Sequence, residues 1–242
     1  MKRAAILMLS VFFLPSCGGD GGTKTSNING SWHITQTSST NVPAAAIPVD
    51  IFIAQNGTTL SADHLFVLTC SNENSMSGSV SGNQVNMVIT GNQGDTYSIT
   101  GTVSSSTSFT GNYTSKTSGC IEDDTGTFVA TLIPSIQSPS WSGTITSRRY
   151  PPDGDTFTAN LTEDRSGAIS GTLAFTGKYC ANALNSAVTV IGQQTGNQLS
   201  IGDTSGGISF FGFADNSGKN VTGGYVIPIC AGDNGDVTMS RL

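Results

Sequence analysis

The most regular feature of this sequence is an alternation of apolar and polar residues with a period of two. It runs through residues 85–89 and 97–103 in the first half, and through residues 157–161, 169–179 and 221–229 in the second. This alternation is typical of antiparallel strands with one buried and one solvated face. Turn-forming residues separate the runs at Gln55-Asn56-Gly57, Ser81-Gly82-Asn83, Gly196-Asn197, Asn216-Ser217-Gly218 and Asn234-Gly235. The pattern predicts an all-β protein with about eight strands in each half.

The two halves are copies of one unit. Cys70 and Cys120 are 50 residues apart, as are Cys180 and Cys230, and the second pair follows the first by 110 residues. Other matches occur in the same order. They are Ser31-Trp32 with Ser140-Trp141, GNQV (82–85) with GNQL (196–199), ITGTV (99–103) with FFGFA (210–214), TGNY (110–113) with TGGY (222–225), and Leu132 with Leu242. A nearly constant offset over several matches indicates a duplication. We predict one domain at residues 29–134 and a second at 135–242.

Glycines help to distinguish a β-barrel from a β-sandwich. Several occupy the otherwise apolar phase of the strands: Gly101, Gly111, Gly171, Gly177, Gly212 and Gly223. Glycine weakens a flat strand but permits the coiling that closes a small barrel. We therefore predict two tandem antiparallel up-and-down β-barrels, with β-sandwiches as the alternative. A tryptophan that opens each copy, followed by a glycine-punctuated meander, is similar in architecture to avidin and lipocalin barrels.

The N-terminal segment predicts a location. Lys2 and Arg3 precede a short apolar run, which is typical of a secretory signal peptide over residues 1–16. Leu14-Pro15-Ser16-Cys17 resembles the lipobox of bacterial lipoproteins. The resemblance implies that acylated Cys17 anchors the protein to a membrane of the cell envelope, and Gly18 favours the outer membrane over the inner. Residues 17–28 are rich in Gly, Ser and Thr, which predicts a flexible tether.

Charge and strand composition exclude two classes of protein. The chain has 10 Lys and Arg against 16 Asp and Glu, and it contains no basic cluster. We therefore exclude nucleic acid as a partner. The outward phase of the strands carries Ser, Thr and Asn, whereas a barrel that crosses a membrane needs an apolar outer face. We therefore exclude a transmembrane barrel as the second class.

Four cysteines remain once Cys17 is acylated. In an oxidising envelope they imply two disulfides, for which three connectivities are possible. The duplication favours Cys70–Cys120 and Cys180–Cys230, one in each copy. Closing a loop of about 50 residues stabilises a fold by roughly 4 kcal/mol through the entropy of the unfolded chain.

Aromatic residues are the candidates for ligand binding. Trp32, Trp141, Tyr113 and Tyr225 are candidates for lining a cavity inside the barrels, and a tryptophan that plugs the core is the simpler interpretation of the first two. Phe210, Phe211 and Phe213 place aromatic side chains on both faces of one predicted strand. If Phe211 or Phe213 is exposed, it marks a contact surface.

Carboxylates cluster after the second cysteine of each copy. Asp123 and Asp124 lie there in the first copy, and Asp233 and Asp236 in the second. Calcium binds several oxygen ligands on a bent loop, so these residues are a candidate calcium site. The alternative is a hairpin turn before the last strand, for which Asn-Gly is a frequent sequence. We predict the turn, and therefore no metal and no cofactor.

Nothing in the sequence predicts an enzyme. His33 follows Trp32 and is predicted to face solvent, and no motif couples it or His64 to a nucleophile and a carboxylate. There is no phosphate-binding loop and no His-Glu-x-x-His motif. We predict a non-catalytic envelope lipoprotein that binds a small or apolar ligand inside its barrels. The alternative is a structural or protein-interaction lipoprotein at the cell surface, with barrels filled by their own side chains.

Overall fold

The computed structural model describes residues 24–39, 48–62, 65–67, 74–91, 94–116, 123–150, 154–176 and 187–242. Within these residues the regular structure is β-strand, and none of them forms a helix long and apolar enough to cross a membrane. The strands of the first copy are β1 (Gly30–Ser38), β2 (Val49–Asn56), β3 (Thr59–Ala62), β4 (Leu65–Val67), β5 (Asn74–Ser81), β6 (Gln84–Gly91), β7 (Thr96–Ser105), β8 (Ser108–Lys116) and β9 (Asp124–Leu132). The strands of the second copy are β10 (Ser138–Ser147), β11 (Gly154–Glu163), β12 (Ala168–Phe175), β13 (Val188–Thr195), β14 (Gln198–Asp203), β15 (Ser209–Ala214), β16 (Asn220–Ile227) and β17 (Asp233–Arg241).

The strands of the first copy close into one antiparallel barrel. Neighbours follow the order β1-β9-β8-β7-β6-β5-β3-β2, and β2 pairs back with β1. Strands β3 and β4 pair with successive parts of β2, so together they occupy one position of an eight-stranded barrel. The register shifts by one residue between them, because Ala54 lies opposite Ser61 whereas Ile51 lies opposite Leu65.

The second copy closes in the same way. Strands β10 to β17 pair in sequence order, and β17 pairs back with β10. The prediction of two tandem antiparallel barrels is therefore confirmed. The alternative of β-sandwiches is wrong, because each sheet closes on itself through the pairing of β1 with β2 in the first copy and of β10 with β17 in the second.

The predicted turns are confirmed at 57–58, 82–83, 196–197 and 216–217. The turn predicted at Asn234-Gly235 is wrong, since both residues lie inside β17. Gly235 lies opposite Tyr225, and a Cβ at residue 235 would be 2.8 Å from the Tyr225 ring and would overlap the carbonyl oxygen of Thr146. This glycine therefore permits close packing within the sheet, which is the other use of glycine in a strand.

Aromatic rings fill the middle of each barrel. In the first barrel the Phe109 ring packs between Trp32 and Phe128, with ring centroids 4.8 and 5.6 Å apart. In the second, Phe157 contacts Phe175 and Phe210 at 5.5 and 5.6 Å. Eight strands enclose a space that side chains can fill, and these rings fill its middle.

A chain segment crosses the end of each barrel at which the tryptophan lies, here named the lower end. Residues 24–29 cross the first barrel, and the carbonyl of buried Ile28 accepts a hydrogen bond from the Trp32 indole at 2.8 Å. Residues 133–137 cross the second barrel, where the Ile136 carbonyl accepts from Trp141 at 3.1 Å. The opposite end, at which β1 and β10 finish, is named the upper end.

The two barrels contact each other through the outer face of β1 and β2. Buried Asp50 accepts a hydrogen bond from the backbone N–H of Asn197 at 3.0 Å, and its Oδ1 lies 2.8 Å from Nδ1 of His33. The Ser31 hydroxyl donates to the carbonyl of Gln194 at 3.4 Å. His33 lies on the outer face, as the alternation predicts, but its side chain is only 19% exposed. The prediction that it faces solvent is wrong because it packs against Asp50 in this contact.

Candidate functional site

The four aromatic residues predicted to line a cavity lie at opposite ends of the barrels. Trp32 and Trp141 are fully buried at the lower ends. Tyr113 and Tyr225 each lie opposite a glycine of the last strand of their barrel, Gly126 and Gly235 respectively. Each glycine is six residues along that strand from the residue that pairs with the tryptophan, which is Leu132 or Arg241. Six residues of strand span about 20 Å. The structure therefore does not bring the tryptophans and the tyrosines into one cavity.

A buried Ser–Asp–Tyr cluster joins three strands at the upper end of the first barrel. Asp124 begins β9, and its carboxylate accepts hydrogen bonds from the Tyr113 hydroxyl at 2.5 Å and from the Ser38 hydroxyl at 2.8 Å. Tyr113 lies on β8 and Ser38 at the end of β1, so the carboxylate ties together three neighbouring strands. Hydrogen bonds to a charged group are among the stronger ones in proteins.

The second barrel contains the same cluster. Asp233 begins β17 and accepts from the Tyr225 hydroxyl at 2.8 Å and from the Ser147 hydroxyl at 2.6 Å. Both carboxylates, Asp124 and Asp233, are buried. Because the cluster occurs in both copies at equivalent places, we assign it a structural role in holding the upper ends closed.

The environment of the cluster keeps its phenols protonated. Burial, together with the hydrogen bond to Asp124 and the negative charge of that carboxylate, raises the pKa of Tyr113. The Tyr97 ring stacks on the Tyr113 ring, with centroids 5.1 Å apart and planes inclined by 14°. Burial, followed by the proximity of Tyr113 and Asp124, raises the pKa of Tyr97 as well. Both hydroxyls are therefore hydrogen-bond donors at neutral pH.

The first barrel adds further polar residues beside its cluster. Gln36 lies on the inward phase of β1, and the registers place Tyr97 opposite Ser115 and Ser115 opposite Asp124. Gln36 is 7% exposed and Tyr97 is 8% exposed. Among the described residues, Nε2 of Gln36 and the hydroxyl of Tyr97 have no hydrogen-bond partner. We name the following set the upper polar site: Gln36, Ser38, Tyr97, Tyr113, Ser115 and Asp124.

Sequence patterns did not identify Gln36, Ser38, Tyr97 and Ser115 as site residues. Gln36 occupies the same phase of β1 as Trp32 and Ile34, and Ser115 the same phase of β8 as Tyr113. A polar residue in an otherwise apolar phase is the signal that would have found these two, because burying a polar group costs free energy unless it has a partner.

The four candidate calcium ligands do not converge. Asp124 and Asp233 lie inside different barrels, whereas Asp123 and Asp236 are exposed. Asp236 forms an ion pair with Arg148. In the part of the chain that the structure describes, no three His, Cys, Asp or Glu side chains form a potential metal cluster. The calcium site, which was the weaker interpretation of these residues, therefore gains no support from this geometry.

Cys230 forms a disulfide. Its predicted partner Cys180 and the predicted pair Cys70 and Cys120 lie outside the described residues. Cys17, the signal peptide and His64 also lie outside them.

The outer face of the second barrel carries an exposed patch. Phe211 and Phe213 of β15 are 46% and 39% exposed, and their rings contact each other edge to face with centroids 5.6 Å apart. Exposed Ile191 of β13 and Val226 of β16 flank this pair. Small or hydroxyl-bearing residues occupy the strand positions between and beside them: Ser200, Gly202, Ser209, Thr222 and Gly224. Ile191, Phe211, Phe213 and Val226 are named the apolar patch.

No protein-family model matches the chain, and no curated protein matches its sequence. Three solved structures share a distant similarity with it. A protein of unknown function from the DUF3598 family of Nostoc punctiforme is 12% identical, with 88% of this chain and 96% of that chain covered and a TM-score of 0.27. Intact Ap-TbpB, with its N and C lobes, is 13% identical over 87% of this chain and 46% of that one, with a TM-score of 0.24. The agglutinin of Burkholderia oklahomensis is 11% identical over 90% and 97% of the two chains, with a TM-score of 0.21. At such TM-scores these similarities carry no argument about function.

Proposed function

We propose that this protein is a non-catalytic lipoprotein of the bacterial cell envelope that binds a protein partner through the apolar patch of its second barrel. In this proposal the acylated Cys17 provides the membrane anchor. The observation that carries the proposal is an exposed aromatic pair, Phe211 and Phe213, on the outside of a barrel whose middle is already filled.

The packing of the interior supports a surface function over a ligand deep inside the barrels. The aromatic rings in the middle of each barrel contact one another, and Trp32 and Trp141 close the lower ends. An apolar ligand placed there would have to displace side chains that are already in contact. Dense packing of this kind makes such displacement costly.

The apolar patch has the chemistry of a protein contact. Large aromatic side chains dominate the energetics of interfaces, and charged residues are depleted at interface centres. Burying the exposed parts of two phenylalanine rings removes on the order of 150 Å² from water, which contributes roughly 4 kcal/mol. The uncharged strand positions around the rings allow a partner to approach without desolvating charges.

His33, the histidine within the residues that the structure describes, supports the non-catalytic part of the proposal. His33 is engaged with Asp50 in the contact between the barrels, and that contact gives both side chains a structural role. The proposal therefore assigns no residue to catalysis.

Site-specific photocrosslinking in the native envelope tests the proposed contact. A benzophenone side chain is placed at residue 211 and, as the matched control, at Thr172, which is exposed on β12 of the same barrel. We expect one discrete crosslinked protein from residue 211 and none from residue 172. Adding Phe213→Ser should weaken the crosslink at residue 211 at least fivefold.

Three outcomes would overturn the proposal. They are equal crosslinking from residues 211 and 172, crosslinking from residue 211 to lipid alone, and crosslinking from residue 211 only to a second copy of this chain. Circular dichroism of each variant establishes that the barrels have folded before crosslinking is compared.

A further inference from the structure

We infer that the upper polar site of the first barrel binds a small uncharged molecule, which presents a carbonyl or hydroxyl oxygen to Gln36 and Tyr97. This site is independent of the proposed protein contact, because it lies inside the first barrel and the apolar patch lies outside the second.

The second barrel serves as an internal control for the residues of this site. The pairing of β1 with β9 and of β10 with β17 makes Gln36 equivalent to Ile145. Ser115 lies opposite Asp124 and Ile227 lies opposite Asp233, so Ser115 is equivalent to Ile227. The same registers make Tyr97 equivalent to Ile208, which immediately precedes β15.

The two copies therefore keep the Ser–Asp–Tyr cluster and differ in what surrounds it. Three isoleucines in the second barrel occupy the positions of Gln36, Tyr97 and Ser115 in the first, and all three isoleucines are buried. Closing the upper end does not require polar residues at these positions, since the second barrel closes without them. The polar residues of the first barrel need a reason other than the fold.

Two of these polar groups are unsatisfied. Nε2 of Gln36 and the hydroxyl of Tyr97 are buried and lack a partner among the described residues. Native structures rarely leave a buried donor unpaired, and each such group calls for an explanation. The Tyr97 ring is held by its stacking on Tyr113, and Tyr113 is held in turn by Asp124. A bound molecule would therefore meet a donor whose position is already set, which lowers the cost of binding.

The chemistry of the site selects its ligand class. An amide N–H and a phenol O–H both donate, so the complementary group is an oxygen acceptor such as a carbonyl or hydroxyl. The buried Asp124 carboxylate lies in the same row as Tyr97, and its negative charge disfavours an anion. Its two oxygens each accept a hydrogen bond, from Ser38 and Tyr113. The unpartnered groups of the site, Gln36 Nε2 and the Tyr97 hydroxyl, are both donors, which an ammonium group cannot satisfy. The lumen of an eight-stranded barrel limits the ligand to a small molecule.

Three probes of similar shape test this class: benzamide, benzoate and benzylammonium. They share a phenyl ring, which suits a site lined by tyrosines, and they differ in charge and in hydrogen bonding. Binding to the full-length protein in detergent is measured by saturation-transfer difference NMR, with protein-free detergent as the blank. We expect a signal for benzamide that is at least fivefold larger than the signal for either charged probe.

The second barrel suggests the decisive variant. The double substitution Gln36→Ile and Tyr97→Ile introduces the residues that the second barrel carries, so we expect it to fold with an unchanged or higher unfolding midpoint. It should reduce the benzamide signal at least fivefold. The matched control is Thr35→Val with Ser98→Val, on the outward faces of the same strands, and it should leave the signal unchanged.

Tyr97→Phe separates hydrogen bonding from stacking, since it keeps the ring and removes the hydroxyl. We expect it to lower the benzamide signal at least threefold. The inference is overturned if benzamide gives no signal with the natural protein. It is also overturned if a charged probe binds as well as benzamide, or if either Tyr97→Phe or the double isoleucine variant keeps the full signal.

Discussion

At the scale of single residues, the buried tyrosines of the first barrel are the groups most affected by their surroundings. Tyr113 donates to Asp124, and Tyr97 stacks on Tyr113. Burial is the largest cause of the raised pKa of both phenols. A folded state that holds two phenols protonated is sensitive to high pH, because the unfolded chain releases those protons more readily.

We predict that the free energy of unfolding falls as the pH rises above about 10. In the unfolded chain Tyr97 and Tyr113 ionise near that pH, whereas their raised pKa values keep them protonated in the folded state. Each tyrosine should therefore lower the stability by about 1.4 kcal/mol per pH unit above this point. Urea unfolding, followed by circular dichroism between about pH 8 and about pH 11, measures the slope.

Tyr97→Phe is the matched control for this pH dependence. It removes one of the two ionisable groups and keeps the ring, so the loss of stability per pH unit should shrink by about 1.4 kcal/mol. Identical slopes for the variant and the natural protein would contradict the assignment of this sensitivity to Tyr97.

At the scale of strands, glycines decide how closely neighbouring strands and rings approach. Tyr113 lies opposite Gly126 and Tyr225 lies opposite Gly235, so each barrel packs a tyrosine ring over a glycine at its upper end. A Cβ at residue 126 or 235 would come within 2.8 Å of the facing tyrosine ring. The same pairing explains why Asn234-Gly235 forms strand although its sequence is typical of a turn.

We predict that Gly235→Ala destabilises the protein by about 2–3 kcal/mol through overpacking. The added methyl group would overlap the Thr146 carbonyl oxygen and press on the Tyr225 ring, and backbone atoms cannot move aside at low cost. Gly202→Ala on β14 is the matched control, because the nearest atom to its Cβ is the Ile208 carbonyl oxygen at 3.9 Å. Its effect should stay within about 0.5 kcal/mol. Equal destabilisation by the two variants in urea unfolding would refute this packing argument.

At the scale of the whole molecule, the two copies of one barrel differ in their buried polar groups and in their exposed apolar residues. Both keep the tryptophan at the lower end and the Ser–Asp–Tyr cluster at the upper end. The first barrel adds inward polar residues, and the second exposes the apolar patch on its outer face. The contact through Asp50 joins the two barrels and removes a charged group from solvent.

We predict that Asp50→Ala destabilises the protein by about 3 kcal/mol, because it leaves the backbone N–H of Asn197 and the ring of His33 without their buried partner. Differential scanning calorimetry should show two separated transitions in the variant, with one transition in the natural protein. Thr35→Ala, an exposed change on β1, is the control and should leave the profile unaltered. A single, unshifted transition in Asp50→Ala would show that this contact does not couple the barrels.

Periodicity predicted more of this protein than individual motifs did. The alternation around Met87, Ile99 and Phe157 predicts which side chains face inward. The side chains of these strands that are buried in the structure are mainly the apolar ones, as expected. Strand-forming periodicity is local, so it can be recognised in one sequence. The Asn234-Gly235 motif failed because its outcome depends on a ring from another strand, which no local pattern reveals.

The candidate site was only partly predictable. Tyr113 and Tyr225 stood out because a repeated motif ends in each of them, but the sequence did not indicate that Asp124 and Asp233 bind them. Residues at the same level of a barrel come from strands far apart in the chain. Their level depends on strand register, which is set by pairing across the whole sheet.

The sequence by itself determined the all-β class, the duplication and most of the turns, because these follow from local alternation and from the comparison of one half with the other. It favoured barrels over sandwiches, and the pairing of β1 with β2 and of β10 with β17 decided between the two. Only the tertiary structure decided which residues meet: the Ser–Asp–Tyr clusters, the unpartnered groups of Gln36 and Tyr97, and the contact of Asp50 with Asn197. The physical reason is that inward orientation is a property of one strand, whereas a site is a property of several strands whose register is set when the barrel closes.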